Sequence, residues 1–179
     1  MPGRSVPRYR FKVDLRVGSW SIVAQLGRSR REAEGNDNAD LTELSEGETA
    51  LRAVERDWNA AAQHWDSAGL VALYTEDAVF YGGRPGHAVG HAKVREYFDS
   101  YVGTLAAARL ALVDQELRKL GEGVYLAQGY AEFDFNLNAG GATHTVLRST
   151  LVLTRRPEGW RIAQHHFSSP PSEPPIPRQ

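Results

Sequence analysis

The run Gln164-His165-His166 is the part of this sequence with the most potential for chemistry. A histidine changes its protonation near neutral pH, so it can transfer protons, form hydrogen bonds or ligate a metal ion. Adjacent residues of a strand point to opposite faces, so the two histidines cannot bind one metal ion without a bulge. We therefore expect His165 inside the protein and His166 outside. His165 is then either a hydrogen-bonded structural histidine or a pocket residue that moves a proton.

His87 and His91 form the second histidine pair, with a spacing that would suit zinc on a helix. Gly90 lies between them and Pro85-Gly86 precedes them, which argues against a continuous helix at this point. The glutamate that serves as general base in metalloprotease helices is missing as well. Since the chain also has no cysteine, we predict no metal site and no cofactor.

Four predicted strands have to position His165. Residues 143–155 and 160–167 are rich in β-branched and apolar residues, and the turn-forming segment 156–159 joins them into a long hairpin. Two earlier segments, 109–118 and 124–136, are predicted strands separated by a Gly-Glu-Gly turn. The second half of the chain is therefore an antiparallel sheet.

Three predicted helices and a short strand precede that sheet. Ser45 and Glu48 have capping-box spacing, and apolar residues then recur at helical intervals up to Trp65. A short helix is expected over 70–74 and a strand over 78–81, followed by a glycine-rich loop. After Gly90 the spacing of apolar and aromatic residues predicts a third helix.

Composition limits the function classes. A chain of 179 residues with 41% hydrophobic content suits one domain, and its net charge of −1 argues against a nucleic-acid binder. The absence of cysteine makes a reducing compartment the default, so we predict a cytoplasmic protein. No apolar run is long enough to span a membrane, so no membrane partner is expected. Residues 1–45 are predicted to be a flexible extension, although 9–17 has a strand-like alternation. The domain then covers 46–169, and 170–179 is a proline-rich tail.

Helices followed by a meander of long strands predict an α+β fold, with the helices on one face of a curved sheet. In the strand 124–136 the odd positions carry no charge, so they should face the helices. The small residues Ala127, Gly129 and Ala131 on that face would leave room for a ligand. We predict a mostly apolar pocket around that space, lined by Trp58, Phe80, Tyr97, Tyr101, Phe133 and His165. Trp58 and the two tyrosines are equally open to interpretation as ordinary core residues.

Several motifs in this order resemble the nuclear transport factor 2-like superfamily, in its SnoaL-like and kinase-association-domain branch. The motifs are Trp-Asn in the first helix, Tyr-Thr-Glu-Asp-Ala-Val before the first strand, Gly-His at the third helix and the Gly-Trp-Arg-Ile…His-His-Phe-Ser ending. The resemblance spans about residues 46–169. It implies a cone, in which a bent antiparallel sheet wraps around three helices and leaves a pocket at the open end.

The resemblance does not extend to known catalytic or anion-binding positions. Alignment with the ketosteroid isomerase branch places its oxyanion-stabilising tyrosine at Trp58 and its two aspartates at Gly82 and Leu151, so all three groups are missing. The arginines of some calcium/calmodulin-dependent kinase II association domains correspond to Ala131, Leu151 and Phe167, which are also different. Neither steroid-type isomerisation nor that form of anion binding is expected.

Two functions remain open. The first is a small-molecule binder or enzyme of the SnoaL-like kind, with an apolar or aromatic ligand and an unknown substrate and reaction. In that case we expect His165 to move the proton and Tyr97 or the Trp58 indole to donate to the substrate. The second is a non-catalytic module that forms homo-oligomers. Either would be compatible with a homodimer through the outer sheet face, for which the predicted residues are Val124, Leu126, Tyr130, Val152 and Ile162.

Overall fold

The computed structural model describes the backbone of residues 34–173 and the side chains of residues 45–173. The strand-like segment 9–17 and the last residues of the tail lie outside this part of the chain. Three helices and six strands follow one another as α1 (Glu34–Ala62), α2 (Ser67–Val71), β1 (Tyr74–Tyr81), β2 (Ala88–Val89), α3 (Gly90–Asp99), β3 (Leu105–Gly121), β4 (Val124–Leu137), β5 (Ala142–Arg156) and β6 (Gly159–Ser168). No helix in these residues is long and apolar enough to cross a membrane.

All six strands belong to one sheet, in the order β2-β1-β6-β5-β4-β3. Strand β1 runs parallel to β6, and every other neighbouring pair is antiparallel. The helices pack on one face of the sheet, α1 against β3 and β6 and α3 against β1. The predicted α+β architecture with three helices is confirmed.

Helix α1 covers the open edge of β3, which is the last strand of the sheet. The Asn59 side chain accepts a hydrogen bond from the Leu110 amide at 2.7 Å and donates one to the Leu110 carbonyl at 2.8 Å. Glu55 accepts a hydrogen bond from the Leu112 amide at 3.3 Å. These side chains satisfy backbone groups that an edge strand otherwise leaves unpaired, which protects the edge from pairing with another chain.

Two predicted element boundaries are wrong. Helix α1 begins at Glu34 and not at the capping box of Ser45, so the predicted boundary between extension and domain lies within a helix. The short helix covers Ser67–Val71 because the Asp66 carbonyl accepts the Leu70 amide at its first turn. Tyr74 consequently belongs to β1, where its side chain is buried.

The predicted inward face of β4 is confirmed. Ala127, Ala131 and Phe133 are buried, whereas Gln128 and Asp134 are exposed. The outward assignment of Ile162 is wrong, since this side chain is fully buried. The pairing register of β6 shifts between Ile162 and Gln164, which reverses the expected alternation at that point.

Beyond this irregularity the predicted alternation of β6 holds, and His165 is buried while His166 is exposed. On the outer face, Arg148 forms no ion pair with Glu132 or Asp134 in the part of the chain that the structure describes. Arg148 donates to Ser168 at 3.2 Å, and it lies opposite Tyr130 in the sheet. Asp134 instead contacts His144 at 2.8 Å, because these two residues are direct cross-strand partners.

Candidate functional site

The candidate site lies at one end of the sheet, which we call the open end. Strands β1 and β6 both finish there, with Tyr81 next to His166. The loop 82–87 follows β1 at this end, and the turn 138–141 joins β4 to β5. Several of the apolar side chains on the inner face are only partly buried here, namely Tyr97, Tyr101, Phe135, Leu137 and Leu147.

His165 is fully buried at this end and has one free ring nitrogen. Its Nδ1 atom is hydrogen-bonded to the Tyr74 hydroxyl at 3.0 Å. Its Nε2 atom is also buried and has no hydrogen-bond partner among the residues that the structure describes. Burial, with a smaller contribution from His166, lowers the pKa of His165 to about 3. The imidazole is therefore neutral at physiological pH.

The six predicted site residues form two groups of rings in contact, one of Trp58 and Phe133 and the other of Phe80, Tyr97, Tyr101 and His165. Trp58 contacts Phe133 with 5.7 Å between ring centroids, and Phe80 contacts Tyr97 at 4.6 Å. Tyr97 in turn contacts Tyr101 at 5.5 Å. We call this group, together with Phe167, the aromatic cluster; its members are Trp58, Phe80, Tyr97, Tyr101, Phe133, His165 and Phe167.

Phe167 connects the two halves of the aromatic cluster and is not one of the predicted pocket residues. Its ring centroid lies 5.0 Å from that of Phe133, 6.1 Å from that of Phe80 and 3.9 Å from that of His165. The signal was available, since Phe167 has the same parity as His165 in β6. Tyr74 was also missed, because the sequence placed it in a helix and not on the inner face of a strand.

Ser149 is a third residue that sequence reasoning missed. It is buried on the inner face of β5, and its Oγ atom has no hydrogen-bond partner in the described part of the chain. In the sheet it lies opposite Phe167, while Leu151 lies opposite His165. Ser149 and His165 are therefore diagonal neighbours on adjacent strands. Residues in this relation lie about 7 Å apart. One face of the sheet thus carries two buried polar atoms that no described residue satisfies.

Gly82, which aligns with a catalytic aspartate of the ketosteroid isomerase branch, has no room for a side chain. A Cβ atom at residue 82 would lie 2.3 Å from Cζ of Tyr97, so the tyrosine ring occupies this space. The Tyr97 hydroxyl accepts a hydrogen bond from the Gly83 amide at 2.9 Å. Burial raises the pKa of Tyr97 above its ordinary value, so this hydroxyl stays protonated.

The small residues on the inner face of β4 are surrounded by different groups. Ala127 and Ala131 are fully buried within the core. At Gly129 the expectation of free space is wrong, since a Cβ atom there would lie 2.5 Å from the Asp114 carbonyl oxygen. Asp114 has a φ of 49° at an irregularity of β3, and the backbone at this point occupies the position of a side chain on Gly129.

A surface cleft of about 210 Å³ adjoins the aromatic cluster. The loop after β1 forms one side and α3 the other, and Phe80 and Tyr97 belong to both the cleft and the cluster. Its remaining lining residues are Gly82, Arg84, Pro85, Gly86, His87, Ala88, Lys93, Glu96 and Ser100. The cleft therefore combines aromatic surface with two cationic side chains.

The second histidine pair is involved in packing. His91 Nε2 donates to the Tyr74 carbonyl at 2.7 Å, and the His87 ring stacks on Tyr81 with 4.3 Å between centroids. Within residues 45–173, no group of three or more histidine, aspartate or glutamate side chains is arranged to hold a metal ion. The candidate site thus consists of a largely buried cluster of rings and, beside it, a surface cleft that only Phe80 and Tyr97 of the predicted pocket residues line.

The sequence matches one family model. Residues 51–172 correspond to the SnoaL-like domain, which is about two thirds of the chain. No functionally curated protein matches the sequence significantly.

Solved structures identify the architecture. A nuclear transport factor 2-like superfamily protein from Salmonella enterica has 21% identity and a TM-score of 0.60, covering 75% of this chain and 96% of its own. A ketosteroid isomerase-like protein from Erwinia carotovora has 22% identity and a TM-score of 0.55, covering 72% and 98%. A Novosphingobium aromaticivorans protein, provisionally named an aromatic ring hydroxylase, has 20% identity and a TM-score of 0.61, covering 69% and 89%. The fold is the nuclear transport factor 2-like cone.

Proposed function

We propose that this chain, a member of the SnoaL-like domain family, binds a small apolar ligand at the open end, where a buried ring nitrogen of His165 has no partner among the described residues. In this proposal the aromatic cluster contacts the body of the ligand. His165 forms a hydrogen bond with one polar group of the ligand through Nε2.

The observation that carries the proposal is the buried, unpartnered Nε2 atom of His165. A polar atom without a hydrogen bond in apolar surroundings costs about 1–3 kcal/mol, so natural cores rarely keep one. If the Tyr74 hydroxyl donates to Nδ1, Nε2 carries the proton and acts as a donor. If Nδ1 donates to the hydroxyl, Nε2 acts as an acceptor. A ligand hydroxyl satisfies either tautomer, and a ligand carbonyl satisfies the first.

The pKa of His165 favours a binding role over proton abstraction. With a pKa of about 3 the ring is unprotonated at neutral pH, but it is a weak base. General bases work best when their pKa lies near the operating pH. Proton transfer by His165, with Tyr97 or Trp58 as the donor to the substrate, therefore requires a ligand whose charge raises this pKa. It stays a prediction that needs turnover measurements.

The nature of the ligand is supported by the rings that surround His165. The Phe80 and Phe167 ring centroids lie 5.8 Å and 3.9 Å from the centroid of His165. Such surfaces favour offset and edge contacts with another ring. The provisional name of the Novosphingobium protein, an aromatic ring hydroxylase, also supports an aromatic ligand.

Titration calorimetry with small aromatic alcohols and ketones tests the proposal. His165→Phe keeps a ring at this position and removes the free nitrogen, so we expect ligand affinity to fall by about tenfold or more. His166→Phe is the matched control, since it makes the same change one residue away on the outer face. Equal affinity in the wild type and the His165→Phe variant would refute the role of His165.

Self-association is a second candidate function, which the outer face of the sheet favours. Tyr130 is 42% exposed and Val146 is 38% exposed. Val124, Leu126 and Val152 are partly exposed on the same face. An apolar face of this kind is unusual on a monomer.

Light scattering tests this second function. We expect the wild type to have twice the chain mass and the Tyr130→Glu variant to have the chain mass itself. A wild-type monomer at micromolar concentration would contradict self-association.

A further inference from the structure

We infer that the ligand is a carboxylic acid and that Arg84 binds its carboxylate at the edge of the aromatic cluster. This inference rests on the proposed function and adds the chemical class of the ligand. It is independent of the arginine positions known from kinase association domains, because Arg84 comes from the loop after β1. The argument has three parts, namely the position of Arg84, the charge of the cleft and the shape of the space beside it.

Arg84 is positioned by a backbone carbonyl and an aromatic ring, and not by an ion pair within the described residues. Its Nη2 atom donates to the Ser100 carbonyl at 2.9 Å, and its guanidinium carbon lies 4.2 Å from the Tyr101 ring centroid. No carboxylate of the described residues forms an ion pair with it, whereas the nearby Arg95 is paired with Asp99 at 3.2 Å. A guanidinium has five N–H donors in a planar fork that matches a carboxylate. Most of these donors remain available to a ligand.

The charges of the cleft leave one positive charge uncompensated. Lys93 contacts the Glu96 carboxylate at 2.6 Å, so these two residues neutralise each other. Besides His87, Arg84 is the remaining titratable side chain of the loop that lines the cleft. One uncompensated cation matches a monoanion such as a carboxylate better than a phosphate dianion.

The charge of Arg84 acts on the wall that the cleft shares with the aromatic cluster. Burial raises the pKa of the Tyr97 hydroxyl, and the positive charge of Arg84 opposes that rise. Tyr97 and Phe80 form this shared wall, and Phe80 also contacts His165. An acid bound at Arg84 therefore places its apolar part against members of the aromatic cluster.

The size of the cleft suits a single ring. Its volume is about 210 Å³, and an apolar cavity of about 150 Å³ holds benzene in other proteins. Pro85, Ala88 and the two aromatic residues supply the apolar surface. A phenyl-substituted short-chain acid has both parts that this arrangement recognises.

Isothermal titration of the full chain with 3-phenylpropanoate and with 3-phenylpropanamide tests the inference. The two compounds have nearly the same shape and differ in charge. We expect the wild type to bind the acid about tenfold more tightly than the amide, because charge-assisted hydrogen bonds are about twice as strong as neutral ones. Arg84→Gln should remove this preference by weakening the acid alone. Arg118→Gln is the matched control, since Arg118 is also exposed and donates to a backbone carbonyl.

The outcomes separate the two proposals. Equal affinity of acid and amide in the wild type overturns the carboxylate inference and leaves the proposed function intact. An acid preference that persists in Arg84→Gln also overturns it. His165→Phe should leave the ratio of acid to amide affinity unchanged, because the only polar group of these two compounds is the one that Arg84 recognises. If neither compound nor any aromatic alcohol or ketone binds, the proposed function fails together with the inference.

Discussion

The two ends of the sheet are built differently. At the end opposite the open end, which we call the closed end, the turns 122–123 and 157–158 connect long strands. Tyr125 donates its hydroxyl proton to Glu46 at 2.6 Å, and Arg155 forms an ion pair with the same glutamate. Arg155 also lies over the Trp160 ring, 5.2 Å from its centroid. These three side chains thus have partners within the protein, although the Oγ1 atom of Thr75, near the start of β1, has none among the described residues.

Packing at the closed end is tight as well. A Cβ atom on Gly47 would lie 2.8 Å from the Tyr125 ring, so α1 touches this tyrosine directly. At the open end, by contrast, the buried polar atoms of Ser149 and His165 have no partner among the described residues. We therefore expect the closed end to contribute more to stability than the open end, since a buried polar atom without a partner is unfavourable. Under the proposed function, a ligand would supply the missing partners at the open end.

The largest expected effect compares two tyrosines, one at each end. Tyr125→Ala should lower the free energy of unfolding by about 3–5 kcal/mol, because Tyr125 is 1% exposed and its loss leaves a cavity. Tyr97→Ala should cost about half as much, since Tyr97 is only partly buried. Urea denaturation of both variants measures the difference. An equal loss of unfolding free energy in both variants would contradict the proposed difference between the two ends.

The second prediction concerns pH and the open end. Burial lowers the pKa of His165 from 6.5 to about 3, so the unfolded chain binds this proton at a higher pH than the folded one. The stability that this residue contributes is therefore complete above about pH 6.5 and is lost as the pH falls toward 3. We expect the loss to reach roughly 1 kcal/mol per pH unit.

His165→Gln removes the titrating group, and His166→Gln changes the exposed neighbour as a control. Carboxylates that titrate at acid pH are present in all three proteins, so their contribution cancels in the difference. Denaturation at pH 7.5, 6 and 5 should show a shallower decline for His165→Gln than for the other two proteins. Parallel curves for all three would mean that His165 is accessible to protons in the folded state.

The fold was predictable because hydrophobic periodicity reports directly on burial. In β4 the uncharged odd positions identified the face that packs on the helices, and Ala131 and Phe133 are buried there. The opposite orientations of His165 and His166 followed from the same alternation. These inferences need only the geometry of a regular strand.

The errors arose where the geometry is irregular. Ile162 is buried because the register of β6 shifts beside it, and no local sequence signal marks that shift. Tyr74 lies in a strand although the sequence around it suggested a helix, so its hydrogen bond to His165 was missed. Arg84 lies in a loop, where periodicity gives no direction for a side chain.

Ser149 is a different kind of omission. Its parity with Leu151 placed it on the inner face, so a polar residue in an apolar row was visible in the sequence. Whether such a hydroxyl has a partner depends on side chains from other strands, and the sequence alone does not give their positions. The three-dimensional arrangement was needed to show that Ser149 and His165 lie near each other without partners.

The smallest expected effect compares two hydroxyl groups and tests the contrast between the ends most directly. Tyr125→Phe removes a hydroxyl bonded to a glutamate, so the free energy of unfolding should fall by about 1–2 kcal/mol. Ser149→Ala removes a hydroxyl that has no partner among the described residues, so stability should stay the same or rise by up to about 1 kcal/mol. Chemical denaturation measures both values, and calorimetry with a bound aromatic acid or alcohol should show weaker binding for Ser149→Ala alone. A clear loss of stability in Ser149→Ala would mean that its hydroxyl has a structural partner, such as a buried water. The buried polar groups of the open end would then be hydrogen-bonded as fully as those of the closed end.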